Sequence, residues 1–239
     1  MGGARRSAPP HPARTDTAAR ITSPEPLPTT IPSGDRPKER AIAAFSRGEG
    51  TAGVVDIEVE HDDLGLPFLG GKTIRGLLRD SWLSLSPCFP DLAKAGERVF
   101  GPEADFDERS ILRIGDAVME GQVRAWIEAV LKRQGSHLHP AAVLEALTDI
   151  RKQTSEERST GAPAERTLRS VRVVIRGLKL QAPLYWLEPP GTGEIHALSL
   201  ALLATRHAGL ARNRGRGHIR MSLDGDIEKT RRAAIGGGA

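Results

Sequence analysis

The chain has little cysteine: Cys88 is the single one among 239 residues. One cysteine excludes an internal disulfide and a zinc site built on clustered cysteines, and it fits a reducing cytoplasm. The sequence also lacks a run of about 18 apolar residues, the length that spans a membrane. The arginines near the N-terminus are followed by no hydrophobic segment, so the pattern of a secretory signal is missing. We expect a cytoplasmic protein with no membrane partner.

What the chain does contain is a modest excess of positive charge. Lys and Arg number 34 against 30 Asp and Glu, which gives a formal net charge of +4. An anionic partner is therefore plausible, and the position of the charges matters more than their sum. The seven histidines show no spacing typical of a metal site. The length allows one large domain with a sizeable core.

The N-terminal part of the chain is rich in proline and poor in apolar residues. We predict that residues 1–40 are largely disordered or irregular, since so few apolar residues cannot offset the entropy of ordering. Residues 18–23 form a possible short strand, although the prolines that follow would interrupt a longer one. We place a single domain at 41–228, with its ordered part beginning near Gly53, and a flexible tail at 229–239.

Within the domain, strand and helix patterns interleave without a regular alternation. Val55, Ile57 and Val59 alternate with acidic residues, as in a half-buried strand, and residues 72–85 have apolar side chains at helical spacing. Together the patterns favour an α+β fold, with helices on one face of an antiparallel sheet. Further strands are predicted at 110–118, 168–175, 178–187 and 218–223, helices at 123–131, 141–147 and 197–204, and loops at 97–101 and 154–165.

Two segments have the residues that phosphate binding requires. Gly70 and Gly71 precede the helix at 72–85, and a helix N-terminus with free N–H groups favours an anion. The spacing does not match a nucleotide-binding P-loop, because Leu66 stands where that motif needs glycine. Residues 209–217 combine three glycines, which let a backbone approach closely, with three arginines, whose planar groups pair with phosphate.

Five blocks in the same order resemble the RAMP superfamily, specifically the repeated backbone subunit of type III CRISPR RNA-guided effector complexes. They are the helix entry at 65–79, the Phe-Gly and Asp-Ala pair at 99–101 and 114–118, the stretch at 151–169, the strand at 175–180 and the glycine-rich loop at 209–217. The proline-rich lead departs from the family's compact opening strand and glycine-rich loop.

The resemblance implies a fold and partners. The fold is a modified ferredoxin-like or RRM-like core with inserted helices at about 119–150 and a thumb hairpin at about 151–170. The implied partners are guide RNA, target RNA, and copies of the chain or related RAMP subunits in a multi-subunit complex. A guide RNA would be bound along its phosphate backbone, so its affinity should fall as the salt concentration rises.

The resemblance also implies a catalytic role for Asp56, which stands six residues before Asp62 in the acidic turn. In catalytic relatives an aspartate at this spacing cleaves target RNA, in which a ribose 2′-hydroxyl attacks the adjacent phosphate. Such an aspartate orients the hydroxyl or holds a divalent metal, Mg or Mn, whose shell phosphate oxygens and water would complete. Asp56 is otherwise a solvent-facing charge on a strand, and Asp35 is a rival acidic residue.

The RNA-binding residues that we predict are glycines and polar or basic side chains of the blocks above. Several could equally form the solvated face of an amphipathic helix, and Trp82, Trp126 and Trp186 are predicted to lie in the core. A non-catalytic or capping subunit, a guide-processing endoribonuclease and a generic RNA-binding module remain alternatives. The predicted RNA-binding set is Gly70, Gly71, Lys72, Thr73, Arg75, Arg79, Arg169, Gly209, Arg212, Arg214, Gly215, Arg216 and Gly217.

Overall fold

A computed structural model of the chain describes residues 17–22, 55–102, 109–154, 168–210, 212 and 216–236. The strands are β1 Thr17–Thr22, β2 Leu112–Ile114, β3 Val118–Met119, β4 Thr148–Gln153, β5 Arg169–Val174, β6 Lys179–Trp186 and β7 Arg220–Leu223. The helices are α1 Gly71–Leu85, α2 Ala93–Phe100, α3 Gly121–Lys132, α4 Pro140–Leu147, α5 Thr192–Ala204 and α6 Ile227–Ala234.

The main sheet is antiparallel, with the strand order β2-β6-β1-β7, and β3 pairs with the far end of β6. β1 lies in the centre, because the backbone of Ile21 is opposite Leu180 of β6 on one side and Met221 of β7 on the other. Since α1 follows β1 and α5 follows β6, the core elements occur along the chain in the order β1-α1-β2-β6-α5-β7. This is the ferredoxin-like arrangement, and the predicted α+β class is confirmed.

The core lies between one face of this sheet and helices α1 and α5. Alternate residues of β6 from Leu180 to Trp186 are buried, whereas Lys179 and Tyr185 are exposed. α1 buries Ile74, Leu77, Leu78 and Trp82 in the same cluster, to which α5 contributes Ala197, Leu198, Ala201 and Leu202. None of the helices in the described part of the chain is long and apolar enough to cross a membrane.

A long insertion between β2 and β6 carries the second sheet. α3 and α4 pack through Ile127 and Val143, and β4 and β5 form an antiparallel pair whose connection lies outside the described residues. Residues 55–70, which contain Asp56 and lead into α1, are called the Asp56 segment. This segment joins the β4–β5 pair, since Ile57 makes a parallel bridge with Val171 of β5. Its predicted alternation holds in part: Val55 and Val59 are buried, but the segment contributes isolated bridges and no strand of the main sheet.

The structure corrects the predicted boundaries at both ends. The predicted short strand at 18–23 is confirmed as β1, so the irregular segment and the domain start at residue 41 are wrong for residues 17–22. The predicted flexible tail is also wrong at its beginning, because α6 extends to Ala234. Asp226 caps this helix, and the buried Thr230 hydroxyl accepts a hydrogen bond from the Leu223 N–H group, which attaches it to β7.

Two local predictions also fail. The expected loop at 97–101 is mostly helix: α2 runs to Phe100, whose ring stacks on Trp82 at 5.9 Å. Trp82 and Trp186 are buried as predicted, but Trp126 is 64% exposed. α3 turns Ile127 toward the insertion core, which leaves the neighbouring indole in solvent.

Candidate functional site

Asp56 is exposed but its carboxylate is fixed by one neighbour, Ser170 of β5. The Ser170 N–H group and its hydroxyl both donate to Asp56 Oδ2, at 2.6 and 2.9 Å. The Asp56 N–H group in turn donates to the Ser170 carbonyl at 3.0 Å. Both contacts fall on Oδ2, and no hydrogen bond to Oδ1 from another described residue is seen. The carboxylate is therefore oriented and has an oxygen available to another hydrogen-bond donor.

The surroundings of Asp56 keep it ionised. Hydrogen bonds from the N–H group and then the hydroxyl of Ser170 hold the pKa of Asp56 below its ordinary value, and the charge of Arg169 acts in the same direction. A carboxylate of lowered pKa is a weak proton acceptor near neutral pH but a persistent negative charge and hydrogen-bond acceptor. The structure thus brings together Asp56 and Arg169, two residues that the sequence placed far apart.

A buried ion pair lies directly next to this site. Arg172 Nε is 2.7 Å from Glu58 Oε1, and Arg172 Nη1 donates to Thr148 Oγ1 at 3.2 Å. Both members of the pair are largely shielded from water. Glu58 is on the Asp56 segment, Arg172 on β5 and Thr148 on β4, so the pair ties all three elements together. The alternation of Val55, Ile57 and Val59 with acidic residues predicts Glu58 on the solvent face, whereas the structure shields it beside Arg172.

The side chains around Asp56 do not form a metal site by themselves. Among the described residues, no three His, Cys, Asp or Glu side chains group closely enough to hold an ion. The neighbours of Asp56 are a serine and a cation, and the next carboxylate along the segment, Glu58, is paired with Arg172. A divalent ion at Asp56 would need most of its ligands from RNA and water.

The start of α1 is occupied by the chain's own carboxylates. The Gly71 N–H group donates to Asp116 Oδ1 at 2.7 Å, and a Cβ atom at Gly70 would lie 3.4 Å from Glu60 Oε2. The predicted free N–H groups are thus not all free, and a phosphate at Gly70 and Gly71 has to compete with Asp116. From the sequence, Asp116 is only part of the Asp-Ala block, and its contact with the start of α1 joins residues 45 apart in the chain.

The basic side chains of α1 have different surroundings. Lys72 and Thr73 are exposed, and Arg75 is half-buried beside Gly101. Arg79 donates from Nη2 to the carbonyl of Pro102, so part of its hydrogen-bonding capacity is used within the chain. Lys72, Thr73 and Arg75 are therefore the α1 residues that remain available to RNA.

Close packing explains the glycine at position 71. A Cβ atom there would lie 2.2 Å from the Ile114 carbonyl oxygen, whereas one at Gly76 in the same helix would meet nothing within 4 Å. We expect Gly71→Ala to destabilise the protein by about 1–3 kcal/mol through overpacking. Gly76→Ala should instead stabilise it by about 1 kcal/mol, because alanine favours the helix. Thermal unfolding of both variants measures the two shifts, and equal shifts would contradict the packing role.

The glycine-rich loop is closed at its base and attached to α1. Gly209 and Gly217 have positive φ angles of 85° and 70°, and the Ala208 N–H group donates to the Gly217 carbonyl at 2.9 Å. Arg212 Nη2 pairs with Asp80 of α1 at 3.0 Å. Arg216 is exposed, while the predicted residues Arg214 and Gly215 lie outside the described part of the chain.

The glycine-rich loop and α1, which contain the two predicted phosphate-binding segments, are thus neighbours. Besides the Arg212–Asp80 pair, the hydroxyls of Ser81 in α1 and Thr205 before the loop are 2.8 Å apart. Asp56 belongs to the segment that leads into α1, and Glu60 of that segment reaches the helix start. The structure therefore places the described binding residues of α1 and of the glycine-rich loop next to each other, while Arg169 lies on β5 beside Asp56.

The comparisons with known proteins agree with this fold. The family model of the RAMP superfamily matches residues 14–219, which include β1 and the glycine-rich loop. Comparison with curated protein sequences finds no significant match.

Three similar solved structures each share 12% sequence identity with this chain. A chain of the cryo-EM structure of the type III-B Cmr-beta bound to cognate target RNA has a TM-score of 0.58, over 92% of this chain and all of that one. A chain of the type III-B Cmr-beta in the apo state scores 0.59, over 88% and 98%. A chain of a type IV-B CRISPR complex scores 0.52, over 87% and 89%. At this identity the likeness shows a shared fold.

Proposed function

Because the chain belongs to the RAMP superfamily, we propose that it is a backbone subunit of a type III CRISPR effector complex, which binds guide RNA and cleaves paired target RNA with Asp56. The observation that carries the proposal is the carboxylate of Asp56, which Ser170 of β5 fixes beside the β4–β5 pair. Its partners would be guide RNA, target RNA and neighbouring copies or related subunits, and its location the cytoplasm. Similar folds in CRISPR complexes support this assignment.

Guide binding rests on the basic groups around α1 and the glycine-rich loop. Lys72 and Arg75 on α1, Arg216 in the loop and Arg169 on β5 offer cations to an RNA backbone. They contact phosphates and read no sequence, so guide–target pairing supplies the specificity.

Cleavage would proceed by attack of a ribose 2′-hydroxyl on its own 3′-phosphate. The 2′-oxygen bonds to phosphorus, the bond from phosphorus to the 5′-oxygen breaks, and a cyclic phosphate remains. Asp56 Oδ1 accepts a hydrogen bond from the 2′-hydroxyl, while Ser170 holds Oδ2. Water takes up the hydroxyl proton and protonates the leaving 5′-oxygen. Asp56 contributes orientation and charge, since its low pKa makes it a poor base.

Co-expression with a repeat–spacer transcript tests guide binding. We expect the full chain to purify with a discrete guide RNA. The variant Lys72→Gln/Arg75→Gln should lose this RNA at a lower salt concentration than the wild type does. Removing two phosphate contacts should reduce the slope of log affinity against log salt by about 1.4, at about 0.7 per contact for a single strand. The matched control is Lys132→Gln/Arg133→Gln at the end of α3, which should keep the wild-type slope.

The outcomes separate the proposal from its alternatives. A wild-type chain that is reproducibly free of nucleic acid would overturn the proposed function. Binding of any RNA with no guide-dependent assembly would instead indicate a generic RNA-binding module. Cleavage of free precursor repeats by the isolated protein would indicate a guide-processing endoribonuclease.

A further inference from the structure

Five basic side chains from three chain segments converge where the glycine-rich loop meets β7. His207 and His218 form an antiparallel backbone bridge, and their rings stand edge to face at 5.3 Å. Arg206 precedes the bridge, and its carbonyl accepts a hydrogen bond from the Ile219 N–H group at 2.8 Å. Arg220 begins β7, and Arg176 comes from the turn between β5 and β6.

The three arginines of this cluster have no acidic partner within the described residues. The ion pairs there involve other arginines and lysines, and no carboxylate is paired with Arg176, Arg206 or Arg220. The Nε atom of Arg176 is buried and lacks a hydrogen-bond partner. A buried donor without an acceptor is costly, so this position favours a ligand that brings anionic oxygens.

We propose that Arg176, Arg206 and Arg220, together with the His207–His218 pair, form a further phosphate-binding site for RNA at the base of the glycine-rich loop. The inference rests on the proposed function, which supplies the RNA, but it uses none of the residues predicted from the sequence. The phosphate would lie among the three guanidinium groups and accept a hydrogen bond from the protonated ring of His218.

His218 gives the site a distinctive response to pH. Burial, followed by the charges of His207, Arg206, Arg220 and Arg176, lowers its pKa in the free protein. The ring is therefore neutral near pH 7. A bound phosphate offsets the surrounding positive charge and favours the protonated ring, so RNA binding takes up a proton. Affinity should consequently rise as the pH falls through the range in which bound His218 is protonated.

The test measures the affinity of the full chain for a labelled single-stranded guide RNA against salt and pH. Arg206→Gln/Arg220→Gln should weaken binding tenfold or more and reduce the salt slope by about 1.4. His218→Gln should bind like the wild type at pH 8 but lose the tightening at lower pH. Arg133→Gln, an exposed arginine at the end of α3, is the control for loss of charge and should leave the pH response unchanged.

A second measurement follows the ring itself and does not depend on the variants folding. In the wild-type protein, the NMR titration of the His218 ring should shift to higher pH when guide RNA is added. A double variant with the wild-type salt slope, or a His218 titration that RNA leaves in place, would overturn this site while guide binding by α1 stands. A wild-type chain that binds no RNA would overturn the proposed function, and this site with it.

Discussion

Asp56→Asn should abolish cleavage of target RNA in a reconstituted complex while guide RNA stays bound. Asparagine keeps the shape of the side chain but removes the charge that Ser170 and Arg169 stabilise. Removing one preorganised contact to the reacting group costs on the order of 10²–10³-fold in rate, and we expect a loss in that range. The measurement is the single-turnover cleavage rate of a labelled target paired with the guide.

Two further variants make this result specific. Asp63→Asn changes an exposed carboxylate in the same segment and should leave the cleavage rate unchanged. Ser170→Ala removes the hydroxyl contact with Oδ2 but keeps the N–H contact, so the rate should fall to an intermediate value. Ser170→Thr, which restores a hydroxyl, should recover the rate if positioning is its role. Unchanged cleavage in Asp56→Asn would identify a non-catalytic backbone or capping subunit.

The sequence predicted those helices and strands in which buried residues recur at a regular short spacing. The apolar positions of α1 recur at the spacing of a helix face, and alternate residues of β6 are buried as strand alternation predicts. Both periods depend only on residues close in sequence. β2, β5, β6 and β7 and helices α3, α4 and α5 could therefore be located from the sequence, and their interleaving gave the α+β class. The start of β4 was not predicted, and α6 lies in the predicted flexible tail.

Contacts between distant segments could not be predicted in the same way. β1 is central because β6 and β7, almost the whole chain later, pair with both of its edges, and nothing within residues 17–22 encodes that position. The Asp116 contact with the start of α1 and the basic cluster around His218 likewise join segments far apart in sequence. Asp56 was found through its spacing from Asp62, but its partner Ser170 was not.

Arg172→Met should produce the largest loss of stability among the single changes considered for this chain. Arg172 is only 6% exposed, and its substitution removes the guanidinium that lies 2.7 Å from the largely buried Glu58 carboxylate. Breaking one side of a buried ion pair costs about 3–5 kcal/mol, because the remaining charge stays in a medium that solvates it poorly. Equilibrium denaturant unfolding measures the loss. Arg151→Met, which removes a surface pair with Asp149, is the matched control and should cost about 1 kcal/mol or less.

The double variant Glu58→Met/Arg172→Met separates a buried charge from lost packing. With both charges replaced by apolar side chains, no buried carboxylate has lost the Arg172 guanidinium, and stability should return toward that of the wild type. A double variant no more stable than Arg172→Met would contradict this account. The pair also joins the Asp56 segment to β5, so the charge-free double variant should keep the Ser170 contacts of Asp56 and much of the cleavage rate. Loss of cleavage despite restored stability would mean that the ion pair itself fixes the catalytic carboxylate.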